Sequence, residues 1–381
     1  MAGPISGTKF GRRAAQRARL GFSIALLLLP GVGAGQETRP AVDSQVLFSS
    51  SARPRASESP VARALLQYHT LASPLALRTI PFFEGTFTSG GQTYRYAIVG
   101  RNPSLTKSTT RVRTVIVPLR LVFADGQVFD PSGTIPRLRR SPLFRGSTFT
   151  SGVTQYGDAI QRAEFWAETQ GTAYHVLLRR PTVTATAVIR VPAAEGLTTT
   201  SHFGGRLGVV NEAFFAQQIV PAVIDQLHIA PSKLTILWSY NVDLQSQLGE
   251  MGAILGEHDA GTNRAGTKIW TWAWASWHTP DTAAEGNTDV AALSHEIAEW
   301  YNNPFVSNMV PPWQSPPAYP CTTALEVGDP VAGITFSQDG YHLQDEVFLS
   351  WFARQEPSTG IAGMYTYLGT LIAPPPLCSG S

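Results

Sequence analysis

The sequence predicts an α+β fold, and three observations lead to that class. Apolar and polar residues alternate in short runs through much of the first half of the chain, which is typical of half-buried strands. A second alternating run, rich in tryptophan, follows at Lys268–Trp277. The segment Asp289–Pro304 instead has apolar residues three and four positions apart, the spacing of one helix face. We therefore expect a β-sheet with helices packed against it.

Length and composition favour a protein with a large core and exclude several classes. The chain has 381 residues, of which 43% are apolar and 15% charged, so it can bury one large domain and is not a charged disordered chain. Its net charge is only +2, and part of the positive charge lies near the N-terminus. A nucleic-acid-binding protein carries a strongly basic surface, so we expect no nucleic-acid partner.

The N-terminus has the pattern of a secretory signal peptide. Basic residues precede the apolar run Leu20–Gly35, which ends in the small residues Gly33, Ala34 and Gly35. This order is typical of a leader that is cleaved after the small residues, and we assign it to residues 1–35. No later segment approaches the ~20 apolar residues of a membrane span. The mature protein is therefore expected to be secreted or periplasmic, without an integral membrane span.

Two further regions follow the predicted leader. Residues 36–76 are rich in Ser, Ala, Arg and Pro and are predicted to form a low-complexity linker with a short helix at Ser59–Tyr68. Residues 77–381 are predicted to form a single α+β domain, with a β-rich part at 77–205 and a part that carries the functional motif at 206–381.

Periodicity and turn residues predict the elements of this domain in order. The predicted strands are a hairpin over Phe83–Val99, and Arg111–Phe123, Ala173–Leu178, Thr182–Val191, Leu234–Val242 and Lys268–Trp277. The predicted helices are Thr154–Glu168, Val209–Leu227 and the motif helix within Asp289–Pro304. Pro118 lies inside the predicted strand Arg111–Phe123. Because proline cannot donate to a β-ladder, it indicates either weak pairing in the middle of this strand or a strand at the edge of the sheet. The tryptophans of the last strand are expected on both of its faces.

The chain has two cysteines, Cys321 and Cys378, which are predicted to form a disulfide. An even pair in an oxidising compartment is more often bridged than free. The spacing of the two residues fits no thiolate pattern for zinc, so a metal-binding role is not expected for them.

The sequence DVAALSHEIAEWYNNP is the most informative about function. His295 and Glu299 are four residues apart, so they lie on one helix face one turn apart. Zinc hydrolases present two metal ligands in this way, and the Glu beside the first ligand, here Glu296, is the general base. Glu299 stands where the H-E-x-x-H pattern has its second His. We expect Asn287-Thr288-Asp289 to cap the helix and Pro304 to end it.

Two interpretations of this helix remain open. In the first, it is an ordinary amphipathic helix whose polar face is solvated. In the second, His295 and Glu299 point into a cleft and bind a metal. Catalytic zinc usually has three protein ligands, and Glu326 or Asp329 on a later turn is the best-placed residue to complete the set.

The motif and its surroundings resemble a known family. His295-Glu296-x-x-Glu299, followed by Glu326-x-Gly328-Asp329, resembles the signature of secreted bacterial relatives of the plant Exordium (phosphate-induced) family. Ser276-Trp277-His278 is similar to that family's Gly-aromatic-His segment. The likeness covers roughly Ser239–Trp351. It implies an extracellular, cell-wall-associated protein, and it makes His278 a further candidate metal ligand.

The chain departs from the family pattern at two points. Ser276 stands where the family has Gly, which bears on the role of His278, and no Cys closely follows Asp329, which bears on the disulfide pattern. His258 and His342 are weaker candidate ligands than His278.

These residues predict a secreted, zinc-dependent hydrolase of the peptidase type, with a zincin-like strand-helix part that packs with the β-rich N-terminal part. A site with one imidazole and two carboxylates also admits other divalent cations. Peptide or cell-wall polymer would be the partner, and Tyr301 or Tyr341 is a candidate to polarise a carbonyl group. The alternative is a non-catalytic extracellular or cell-wall-associated protein, with a structural metal and an aromatic surface that binds carbohydrate. A structural site would be closed, whereas a catalytic site keeps a position open to water.

Overall fold

The computed structural model describes residues 23–27, 45–46, 59–70, 77–249, 252–314, 321–376 and 378. The strands are β1 (Ser23–Leu27), β2 (Gln45–Val46), β3 (Phe82–Ser89), β4 (Gln92–Val99), β5 (Thr109–Phe123), β6 (Val128–Phe129), β7 (Ser147–Phe149), β8 (Gly152–Thr154), β9 (His175–Leu178), β10 (Thr182–Val183), β11 (Ala187–Val191), β12 (Gly196–Thr200), β13 (Arg206–Asn211), β14 (Lys233–Tyr240), β15 (Val242–Gln245), β16 (Ile254–Thr262), β17 (Ile269–Trp277), β18 (Met309–Trp313), β19 (Thr322–Ala324), β20 (Thr335–Gln338) and β21 (Tyr341–Gln344).

The helices of the described residues are α1 (Pro60–Thr70), α2 (Ile135–Leu138), α3 (Tyr156–Glu164), α4 (Trp166–Thr169), α5 (Glu212–Phe214), α6 (Val220–Gln226), α7 (Ala291–Asn302) and α8 (Leu349–Phe352). None of them is both long enough and apolar enough to cross a membrane.

One curled, mixed sheet joins the two parts of the predicted domain. Its main path runs β10-β5-β14-β17-β16-β15-β13-β12, so β5 from the first part lies directly beside β14 from the second. β5, β14 and β17 are parallel, and β16 pairs antiparallel to β17. A sheet with helices on its faces agrees with the α+β class that the sequence predicts. The finer, zincin-like assignment stays a prediction.

Strand β5 lies inside the sheet, and Pro118 is tolerated there because it falls where the partners of β5 change. On one side β10 pairs with β5 as far as Ile116, and β11 begins at Leu119. On the other side the ladder with β14 ends at Pro118. Proline has no N–H to donate, so a position between two partner strands costs little. The predicted edge is therefore wrong for this strand, while the weak point in its middle is real.

Strand β17 lies between two hydrophobic clusters. Its tryptophans were predicted to lie on both faces of the strand, and they do. Trp272 and Trp274 pack on one face, with the helical segment α5–α6. Ala273, Ala275 and Trp277 belong to the cluster on the opposite face, which also includes the apolar residues of α7. Alternate side chains of a strand point to opposite faces, so the two alanines leave room for α7 to pack closely on the sheet.

The helix predicted over Val209–Leu227 begins later than expected. Residues 206–211 form β13, and the Asn211 side chain then caps α5 by accepting from Phe214 N at 2.9 Å. A π-helical turn over Phe215–Ile219 separates α5 from α6, where Pro221 lies in the first turn. The proline has no N–H for a helical bond, so the chain restarts its helix there, as predicted.

Strand β16 was not predicted, although it lies at the centre of the sheet path. Its sequence ILGEHDAGT contains two glycines and three charged or titratable residues, which have low strand propensity. The strand forms because it pairs with β17 along its length, from Gly256–Ala275 to Thr262–Ile269. Tertiary pairing thus overrides local preference.

The predicted signal peptide and linker lie mostly outside the described residues. β1, inside the predicted signal peptide, pairs antiparallel with β16. The short helix expected at Ser59–Tyr68 is present as α1, and its Val61, Ala64 and Leu65 are buried in the main core. The end of the predicted linker is therefore part of the packed body.

Cys321 and Cys378 lie at disulfide distance, with their Cα atoms 6.0 Å apart. This pair agrees with the predicted bridge. It joins the segment just before β19 to the C-terminal end of the chain.

Candidate metal centre

Helix α7 carries the motif and is enclosed on every side. It packs against β16, β17, β21, α3 and β4, and each of its residues from Ala291 to Asn302 is buried. The interpretation with a solvated polar face is therefore wrong. A helix with both faces covered must satisfy its polar side chains inside the protein.

The ends of α7 are fixed by contacts with other segments. Val290 is the N-cap and forms no side-chain cap hydrogen bond, so the predicted cap is wrong. Asp289 instead has a positive φ of 51°, and its carboxylate accepts from the backbone N–H groups of Val290 and His342. At the other end Asn303 donates to the Leu325 carbonyl at 3.0 Å. That bond holds the chain just before Glu326 against the end of the helix.

His295 and Glu299 meet on one face of α7, as their spacing predicts. His295 Nε2 lies 3.1 Å from Glu299 Oε1 and 3.6 Å from Asp329 Oδ1. Zinc binds nitrogen and oxygen at about 2.0–2.2 Å, so tetrahedral ligands lie about 3.3 Å from one another. The two distances from His295 Nε2 are thus close to the separation of two ligands on one cation. Asp329, one of the two residues proposed to complete the site, lies beside His295.

His258 of β16 enters the same cluster from the sheet. Its Nδ1 lies 3.3 Å from Glu299 Oε2 and 3.3 Å from Glu296 Oε2, and its Nε2 lies 3.9 Å from Glu326 Oε2. Sequence reasoning ranked this histidine low because its strand was not recognised. The only signal was a histidine between two acids, Glu257 and Asp259.

Two glycines make room for the cluster. A Cβ at Gly256 would lie 2.5 Å from Glu296 Oε1, and a Cβ at Gly328 would lie 2.3 Å from His295 Nδ1. Contacts this short are not tolerated, so both positions need glycine. Gly328 N also donates to Glu299 Oε1 at 3.2 Å. The glycine of the Glu326-x-Gly328-Asp329 segment thus has a steric and a hydrogen-bonding role.

Burial and mutual charge shift the titration of these groups in opposite directions. Burial, and then the charges of Glu299 and Asp329, raise the pKa of Glu296 well above its ordinary value. Burial would also raise the pKa of Glu299, but the adjacent His295 and His258 lower it to about 2. Burial disfavours the His295 cation, yet the neighbouring carboxylates raise its pKa overall. Glu299 is thus held as a carboxylate between two imidazoles.

The described residues contain two groups that could hold a metal ion: His258 with Glu299 and Glu326, and His295 with Glu296 and Glu299. In each group one donor atom per residue lies within 4.8 Å of the others, and all five residues are at most 1% exposed. Burying this many carboxylates is costly unless positive charge accompanies them. A buried His/Glu cluster of this composition suits a divalent cation.

Several residues considered from the sequence lie elsewhere. His278 Nε2 faces Asp243 Oδ1 at 3.2 Å, and its Nδ1 faces Thr282. Burial lowers the pKa of His278 to about 4 and raises the pKa of Asp243, so it disfavours the charged form of both groups. The structure thus does not bring His278 to the cluster.

Three other candidate side chains from the sequence analysis are engaged in contacts elsewhere. Tyr301 donates to the Val176 carbonyl, and Tyr341 to the Arg137 carbonyl. His342 pairs with Asp289 at 3.0 Å, at the start of α7. Within the part of the chain that the structure describes, none of the three belongs to a group of possible metal ligands.

Most tryptophans belong to the core. Seven of the nine are buried: Trp238, Trp272, Trp274, Trp277, Trp300, Trp313 and Trp351. They are therefore not available as a stacking surface for carbohydrate.

Fold and site together define a candidate metal-binding protein of the α+β class. Comparison with protein-family models, with curated proteins and with solved structures found no match.

Proposed function

We propose that the protein is a secreted, metal-dependent hydrolase of the peptidase type, and that zinc or a similar divalent cation binds between His295, Glu299 and Asp329. The observation that carries the proposal is the position of Glu296. Its carboxyl group lies in the same 4.8 Å group as His295 and Glu299, and its Oε1 has no hydrogen-bond partner among the described residues. A carboxyl group held beside a metal site but not fully engaged is suited to act as a base.

The residues of the site would have two roles, cation binding and proton transfer. His295, Glu299 and Asp329 hold the cation, which when bound acidifies water and polarises a carbonyl group. Glu296 accepts the proton of the attacking water and returns it to the leaving amine as the C–N bond breaks. The charge of a bound cation would favour the ionised form of Glu296. This effect would oppose burial, which raises the pKa of the same group.

The edge of β16 supports a peptide as the substrate. β1 pairs Ser23 with Glu257 and Ala25 with Ile254 along this edge. β1 lies within the predicted signal peptide, so its removal would leave the edge open beside Gly256. An extended peptide can add to such an edge as a further strand, with its backbone held by main-chain hydrogen bonds. It would then lie next to the candidate centre.

A second function is favoured by one observation, the enclosure of the donor atoms. His295, Glu299 and Glu326 are at most 1% exposed, which is typical of a closed structural metal site. In that case the cation would stabilise α7 against β16 and the segment that carries Glu326, and Glu296 would serve as a ligand.

Metal analysis and hydrolysis of a labelled casein by the purified protein test the proposal together. Glu296→Gln is expected to keep the cation and to lose at least 100-fold in hydrolysis, because the base is worth about 10²–10⁴-fold. His295→Ala is expected to lose both. His278→Gln is the matched control, a buried histidine outside the cluster, and should retain both.

Each outcome decides between the two functions. Cation binding without hydrolysis in the wild type, together with loss of the cation in Glu296→Gln, would establish the structural role. Full cation content in His295→Ala would refute the site itself.

A further inference from the structure

The geometry points to a centre with two cation positions that would share the carboxylate of Glu299. This inference rests on the proposed metal site and goes beyond it, because it assigns a second ion to His258 and Glu326. The first position is the one between His295, Glu299 and Asp329.

The two oxygens of Glu299 face different imidazoles. Oε1 lies 3.1 Å from His295 Nε2, and Oε2 lies 3.3 Å from His258 Nδ1. The histidines come from opposite directions, one from α7 and one from β16. Glu299 thus links the two imidazoles, and the Nε2 atom of His258 is left to face Glu326.

The two imidazoles belong to separate donor groups. His258, Glu299 and Glu326 form one group, and His295, Glu296 and Glu299 form the other. Glu299 is the member that they share. Within the described part of the chain, the two histidines do not fall in one common set of donors within 4.8 Å. The two rings are therefore assigned to separate cation positions.

An unpartnered polar atom supports the second position. His258 is fully buried, and its Nε2 has no hydrogen-bond partner among the described residues. This nitrogen points toward Glu326, 3.9 Å away, a distance too long for a hydrogen bond. A buried ring nitrogen without a partner costs free energy unless a ligand satisfies it.

A pair of cations would extend the chemistry of the site. Paired divalent ions about 3.5–4 Å apart stabilise both the attacking and the leaving oxygen of a hydrolysed bond. Carboxylate ligands also suit manganese, which makes this paramagnetic ion a suitable probe.

The test is the number of ions bound per chain. Metal-free protein is titrated with Mn²⁺ alone, and bound ions are counted by elemental analysis after gel filtration and by electron paramagnetic resonance. We expect about two ions per wild-type chain and the spectrum of a magnetically coupled pair. His258→Gln should reduce the count to about one and give the spectrum of an isolated ion, while Glu299→Gln should weaken both positions.

Two controls separate the ligands from other buried residues. His278→Gln removes a buried histidine outside the cluster, and Glu164→Gln removes a buried carboxyl group outside it. Both should bind as many ions as the wild type.

Failure of this inference is distinct from failure of the proposed function. A single ion in the wild type, or an unchanged count in folded His258→Gln, would overturn the paired centre and leave the first position intact. Two bound ions without any hydrolysis of casein would support the paired centre and refute the peptidase.

Discussion

Gly328 lies against the imidazole ring of His295, so closely that a Cβ at position 328 would be 2.3 Å from Nδ1. The ring can occupy this position because residue 328, on a neighbouring loop, has no side chain. The same loop carries Glu326 and Asp329, and a rotation of the ring would move its Nε2 away from Glu299 Oε1 and Asp329 Oδ1.

Gly328→Ala is expected to displace His295 and to weaken cation binding by about 10–100-fold, a typical loss when a metal ligand loses its support. Overpacking should also lower the free energy of unfolding by about 1–3 kcal/mol. Titration calorimetry with Zn²⁺ and chemical denaturation measure the two effects. Gly261→Ala is the control, because a Cβ there meets nothing within 4 Å. Equal affinity in the two variants would show that the contact does not position the ring.

The buried carboxyl group of Glu164 predicts a pH dependence of stability outside the candidate centre. Burial raises its pKa from 4.5 to about 8, and its Oε1 accepts from Leu349 N at 2.8 Å. The unfolded chain loses this proton near pH 4.5, whereas the folded protein keeps it until about pH 8. The group therefore lowers stability progressively as the pH rises between these values, by about 1.4 kcal/mol per pH unit.

Glu164→Gln keeps an acceptor for Leu349 N and removes the titration. We expect the variant to gain stability relative to the wild type as the pH rises from 5 to 8, by roughly 2 kcal/mol or more. Denaturant unfolding at both pH values gives the difference directly, since contributions of other titrating groups cancel between the two proteins. The exposed Glu168→Gln is the control. A stability difference independent of pH would contradict the raised pKa.

Loss of the disulfide should destabilise the protein without removing the candidate centre. Cys321 and Cys378 are 57 residues apart in sequence. In the chain-entropy account, closing a loop of this length stabilises the folded state by about 4 kcal/mol. Replacing both cysteines by serine is expected to lower the free energy of unfolding by about 2–4 kcal/mol while zinc affinity stays within about twofold. A large loss of zinc affinity would instead show that the bridge holds the metal-binding loop in place.

The relative positions of the motif side chains could be predicted well from the sequence, because they depend on local helix geometry. A helix places residues four positions apart on one face, and His295 and Glu299 meet as that rule requires. Asp329 could be named as a partner because a metal site needs a third ligand. Its contact with His295 depends on the folding of a later loop, which no local rule describes.

The positions of His258 and His278 could not be predicted from the sequence. Both are buried histidines on neighbouring strands or at their ends, and the sequence favoured His278, whereas the structure places His258 in the cluster. His258 lies on a strand that forms only through pairing with β17, and that pairing turns its ring toward α7. His278 lies past the end of β17 and pairs with Asp243 instead.

The sequence by itself determined the α+β class, the motif helix and the shared face of His295 and Glu299, because periodicity and spacing act over a few residues. It also determined the cysteine pair, because the chain has only two cysteines. The tertiary structure decided that α7 is enclosed, that β5 and β14 join both halves in one sheet, and that His258 rather than His278 reaches Glu299. These features depend on contacts between residues far apart in the chain, whose free energy comes from burial and pairing that no local pattern encodes.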